Sequence, residues 1–276
     1  MNLNGVREEV LKDLFDTLEE VFRELEIDYY LIGAVARDIW YARYNKQFRR
    51  TKDVDFAVLV GNGQEYDVLR EYMKQHKGFT SIRENSFVLI SPDGIQVDIL
   101  PFSEISHTNV TGTSFTNISV EGFPEVYRFG LEKINLNTGH HFKVATLPAI
   151  VLLKLIAFDD RPEKRLKDAR DIANILAHYF ELQTDLIYEK HVDLFREDFP
   201  GYRDLDVATI GAIVVGREIK QMVATNRQLQ ARVLYILQNH IKEAENSMFV
   251  RNMVIESAGS VNEMLQWLNG ILIGMS

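Results

Sequence analysis

The chain has 276 residues, 46% hydrophobic and 26% charged, enough to bury a core in one large or two small domains. It contains no cysteine, which excludes disulfides, thiolate nucleophiles and cysteine-ligated zinc. A net charge of −9 argues against a surface that grips nucleic acid by indiscriminate phosphate contact, which needs a field of Lys and Arg.

Apolar residues recur at helical spacing from Val6 to Leu25 and predict an amphipathic helix over residues 5–26. The acidic residues in this opening segment do not fit a secretory leader, so a cytoplasmic location is expected. Residues 27–32 (IDYYLI) are rich in strand formers and stop at Gly33, reading as a strand that turns into a helix over 35–44. The polar stretch 45–52 reads as a loop and 53–60 (DVDFAVLV) as the next strand. A helix is expected over 64–76, then strands over 79–83, 87–91 and 95–101, with Pro92-Asp93-Gly94 turning the chain between the last two.

Residues 103–125 are rich in Ser, Thr, Asn and Gly and read as irregular, followed by strands over 126–136 and 142–146. His140-His141 lies in a turn and reads as a surface pair. Beyond Pro148 the pattern is helical, over 148–159, 165–179, 204–223, 226–244 and 247–273. The apolar run 147–158 is too short to span a bilayer and carries Lys154, so no membrane association is expected. The fold class expected is α+β: an N-terminal domain over 1–146 with a mixed sheet and flanking helices, then a helical domain over 147–276.

Chemistry concentrates on three aspartates. In a strand, residues two apart share a face, so Asp53 and Asp55 project together while Val54 and Phe56 face the other way. Asp98 sits in a later strand between Val97 and Ile99, from which it could join the first pair. Such an oxygen cage suits Mg²⁺, and two metal ions assist phosphoryl transfer by neutralising charge on phosphate oxygens. Asp-x-Asp is a cheap pattern, and the second copy, Asp204-Leu205-Asp206, reads as a helix cap. Two basic clusters, Arg43/Lys46/Arg49/Arg50/Lys52 and Arg161/Lys164/Arg165/Lys167/Arg170, read as solvated surfaces that could also guide a substrate.

Leu31-Ile-Gly-Ala-Val-Ala-Arg-Asp38, Thr51-Lys-Asp-Val-Asp-Phe56 and Val97-Asp-Ile99 together resemble the polymerase-β nucleotidyltransferase superfamily. Ala-Arg-Asp at 36–38 is also similar to a motif of tRNA CCA-adding enzymes. Leu147-Pro-Ala-Ile-Val-Leu-Leu-Lys154, Arg161 and Lys167-Asp168-Ala-Arg-Asp171 resemble the AbiEii-type nucleotidyltransferases, many of which are toxins of toxin–antitoxin pairs. Residues 172–276 match no family pattern.

The resemblance implies a nucleotidyltransferase that moves NMP from an NTP to an acceptor, tRNA or protein, with an antitoxin as a partner. It implies Asp53, Asp55 and Asp98 as ligands of two Mg²⁺ ions. Lys154 and Asp171 join them in catalysis, and Gly33, Ala34, Arg37, Lys52, Lys154, Arg161 and Asp168 bind substrate. Ala34 stands where Gly or Ser is usual. Lys154, alone among apolar neighbours, needs an anion, and a triphosphate between the domains would supply one. The alternatives are an aminoglycoside-type enzyme acting on a cationic small molecule, and a nucleotide-binding protein of the same fold that has lost turnover.

Overall fold

The computed structural model describes residues 8–42, 53–82, 85–103, 120–136, 139–200 and 205–276. The chain divides into two compact units, Met1–Thr146 and Leu147–Ser276.

The first unit is built on a seven-stranded mixed sheet in the order β3-β4-β5-β2-β1-β7-β6, formed by β1 (Tyr29–Ile32), β2 (Asp53–Leu59), β3 (Thr80–Ile82), β4 (Asn85–Ile90), β5 (Gln96–Phe102), β6 (Leu131–Asn135) and β7 (His141–Ala145). β2 runs parallel to β5 and β1 parallel to β7, and the other pairings are antiparallel. Gly94, at φ 79°, closes the β4–β5 hairpin where Pro-Asp-Gly is expected to turn.

The apolar stripe of α1 (Glu8–Glu24) closes one face of this sheet. Phe15 and Phe22 form an aromatic cluster with Tyr29 of β1, Phe56 of β2 and Phe142 of β7, at ring separations of 4.3 to 6.4 Å. α3 (Gly63–Lys77) lies beside α1, joined to it by the ion pair of Lys77 with Glu20, and its buried Tyr66 donates a hydrogen bond to the Ile99 carbonyl of β5 at 2.7 Å. α2 (Gly33–Ala42) follows β1 without an intervening loop and is pinned by Trp40, whose indole N–H donates to the Ala145 carbonyl at 2.8 Å.

Residues 126–129, expected as strand, belong to the short helix α4 (Phe123–Phe129). The turn-forming Gly122 and Pro124 in its first turn start this helix and Gly130 caps it, so only Leu131–Asn135 remains as strand. The expectation for His140 was also wrong. Only His141 is exposed; His140 is buried, stacked parallel on Phe142, with Nε2 3.1 Å from the Asp16 carboxylate of α1. The loop expected over 45–52 lies outside the described residues, as does most of 103–125.

The second unit is helical: α5 (Leu147–Asp160), α6 (Leu166–Leu182), α7 (Thr184–Lys190), α8 (Val207–Val223), α9 (Arg227–Glu243), α10 (Met248–Ser257) and α11 (Val261–Met275). Asp206 caps α8 by accepting the Thr209 N–H at 2.7 Å, as its sequence context requires; Asp204 lies outside the described residues. One helix was expected over 247–273, and two are present. Ala258 adopts the left-handed conformation at the end of α10, and Ser260 with Glu263 forms a capping box that starts α11. α8 and α11 pack against each other so closely that a Cβ on Gly274 would fall 2.0 Å from the Ile213 carbonyl oxygen.

Candidate active site

Strand register places the aspartates. β2 and β5 are parallel and in register over seven residues, with Asp53 opposite Gln96, Asp55 opposite Asp98 and Phe56 opposite Ile99. In-register residues of adjacent strands share a face at about 5 Å strand spacing, so Asp55 and Asp98 are lateral neighbours. The Asp53 backbone begins β2 two residues before Asp55; its side chain lies outside what the structure describes. Val54, Phe56, Val97 and Ile99 point the other way into the buried core, so hydrophobic alternation fixes the direction of the acidic residues.

The third wall of this site is backbone. Ile32 is opposite Asp55 in the antiparallel β1–β2 pairing, and Gly33 follows it at φ 70°, where L side chains are strained. A Cβ there would stand 2.1 Å from Oδ2 of Asp55. Glycine is therefore favoured by the backbone conformation, and its absent side chain lets the Asp55 carboxylate lie against the start of α2. Ala34 is half-buried in the first turn of that helix, where N–H groups lack intrahelical partners. Arg37, one turn on, is buried and donates to Asp38 Oδ1 from Nε at 3.1 Å and from Nη2 at 3.0 Å. Lys52 lies outside the described residues.

One contact was not anticipated from sequence. Gln96 donates its side-chain N–H to Asp98 Oδ1 at 2.8 Å. The only signal in the sequence was the two-residue spacing of Gln-Val-Asp on a strand, which is too common to single out.

A magnesium ion fits this donor set. The Asp55 and Asp98 carboxylates on neighbouring strands are hard oxygen donors of the kind this ion takes. Among the residues whose side chains are described, no cluster of three or more His, Asp or Glu is disposed to hold a metal; the third aspartate, Asp53, is not one of them.

In the helical unit, Lys154 finds its anions locally. Its ammonium donates to Asp168 Oδ1 and Asp171 Oδ2, both at 2.7 Å, and Arg165 Nε lies 2.6 Å from Asp168 Oδ2. Asp168 and Asp171 are one helical turn apart on α6, which lets both carboxylates reach the one lysine of α5. Burial opposes the charged form of Lys154, but attraction from Asp168 and then Asp171 outweighs it and raises the lysine above its ordinary pKa. The anion that its apolar setting demands is thus supplied by α6, and no triphosphate is needed to explain its burial. Arg161 is half-buried just after α5, in the turn that leads toward α6.

The comparisons with known proteins bear on this arrangement. The family described as "Nucleotidyl transferase AbiEii toxin, Type IV TA system" matches residues 16–245. The chain belongs to that family. This AbiEii-family protein is accordingly a nucleotidyltransferase, and the matched region covers the whole β-sheet, Lys154, Asp168 and Asp171. No curated protein matches it. Among solved structures it is similar to the antibiotic-resistance factor ANT(2'')-Ia, at 12% identity and a TM-score of 0.39, over 84% of this chain and 100% of that one. A likeness that weak carries nothing about substrate. No helix among the described residues is long and apolar enough to cross a membrane.

Proposed function

We propose that the protein is a magnesium-dependent toxin enzyme that transfers NMP from an NTP to a hydroxyl of tRNA or of a protein. The observation that supports this reading best is the in-register pair Asp55–Asp98, with Gly33 pressed against Asp55. Folding alone gives a poor account of three acidic positions on one end of a sheet, because like charges on neighbouring strands repel.

In the proposed reaction the acceptor hydroxyl gives its proton to solvent as its oxygen forms a bond to the α-phosphorus, the bond from that phosphorus to the β-phosphate oxygen breaks, and pyrophosphate leaves with that electron pair. Asp53, Asp55 and Asp98 would hold two Mg²⁺ ions, which when bound neutralise charge on the phosphate oxygens. The backbone at Gly33 and Ala34 is proposed as a triphosphate contact through the N–H groups of the first turn of α2. Arg37, Lys52 and Arg161 are further proposed substrate contacts. For Lys154, Asp168 and Asp171 we propose a catalytic role as one charge cluster, with the carboxylates holding the ammonium in place.

The test is incubation of the purified protein with each α-³²P-labelled NTP, Mg²⁺ and either total tRNA, total protein or an aminoglycoside. Label on tRNA or protein is expected. Transfer to the aminoglycoside alone would replace this reading with the small-molecule one. No transfer to any acceptor would contradict it.

A further inference from the structure

We propose that Gln96 is a positioning residue for Asp98, fixing the plane of its carboxylate for metal binding; this rests on the nucleotidyl-transfer reading above. By register, positions 53, 55, 96 and 98 form a block two strands wide, with Gln96 opposite Asp53 and Asp98 opposite Asp55. Gln96 is the one neutral residue of the four, and its amide N–H reaches Asp98 Oδ1 at 2.8 Å.

The chemistry suits a glutamine better than its alternatives. An ionised carboxylate only accepts hydrogen bonds, so a donor tied to Oδ1 stops rotation of the group about its Cβ–Cγ bond. A lysine at 96 would also donate, but its charge would compete with the cation that Asp98 is to hold. A glutamate would add another negative charge and donate nothing. A neutral amide orients the ligand while leaving the negative charge of the block for the metal, as groups behind metal ligands commonly do.

The experiment uses the full chain, stripped of metal, and Mn²⁺ as the probe, with bound ion read by electron paramagnetic resonance. Gln96→Met keeps the length of the side chain and removes the donor; Gln96→Leu is the second variant should the first fold poorly. The Mn²⁺ dissociation constant is expected to rise about tenfold, the low end for such groups. The Mg²⁺ concentration for half-maximal transfer should shift in parallel, while the melting temperature in EDTA stays at the wild-type value. A melting temperature that falls while Mn²⁺ affinity holds would assign Gln96 a merely structural role and overturn the proposal. So would Gln96 variants with wild-type Mn²⁺ affinity when Asp55→Asn abolishes binding; the nucleotidyl-transfer reading would survive that result. Wild-type protein that binds no Mn²⁺ would overturn both.

Discussion

Gly33 and Asp55 are in such close approach that a Cβ at position 33 would lie 2.1 Å from the carboxylate oxygen, so any side chain there displaces the Asp55 carboxylate. The contact joins the start of α2 to the strand that carries the acidic pair, so it fixes the carboxylate and the helix start together.

Gly33→Ala therefore forces Asp55 to turn away and strains a backbone held at φ 70°. The strain should cost about 1–2 kcal/mol of stability. Transferase activity should fall far more than that loss explains, by about a hundredfold or greater, because the aspartate is misplaced. Urea denaturation and labelled transfer measure the two effects; a fully active alanine variant would show that the approach has no catalytic meaning.

Much of this site was legible in the sequence because its causes are local. Alternation in DVDFAVLV and IQVDILP dictates which residues share a face, and the elements themselves fell within a few residues of 27–32, 53–60 and 95–101. The in-register pairing of Asp55 with Asp98 was not legible, because register is a property of two strands and only the fold brings them together. The same limit explains Lys154: its isolation among apolar residues showed that it needed an anion, but the anions come from another helix. His140 was misread because a turn sequence suggests exposure, whereas α1 packs over it. α4 and the break at Ala258 were missed although Gly122-Phe-Pro and Ser260-x-x-Glu263 are local signals of helix starts.

The pairing of Lys154 also changes what its removal should do. Lys154→Met leaves Asp168 and Asp171 facing each other without their shared cation, at 7% and 25% side-chain exposure. Breaking one partner of a buried ion cluster costs about 3 kcal/mol, so the variant should unfold at distinctly lower urea than wild type. An unchanged midpoint would mean that the triad contributes nothing to the helical unit. Loss of transfer in the fraction that remains folded is expected as well.

Acid should loosen the second unit through His240. Its ring stacks on Phe249 at 4.6 Å, meets Phe158 edge-on and shares a hydrogen bond with Ser247. Burial lowers its pKa, opposed more weakly by Glu243 and Asp159. His191 is lowered too, first by burial and then by Arg217, against Glu218 and Asp193. A histidine that binds its proton less readily folded than unfolded leaves stability complete above about pH 6.5 and removes it as pH falls below. Melting temperature should drop between pH 7 and 5, and His240→Asn should show a shallower drop from a lower starting value. An equal slope in the variant would exclude His240 as a source.

Asp55→Asn and Asp98→Asn, made singly, test whether this register-paired couple holds the metal for nucleotidyl transfer. Each removes a negative charge from a crowded pair, so neither should cost much folding stability. The decisive measurement is the rate of ³²P transfer from the preferred labelled NTP to its acceptor at saturating Mg²⁺, for both variants beside wild type. Both variants are expected to fold, with transfer reduced about a thousandfold or below detection. Wild-type rates in either folded variant would contradict it.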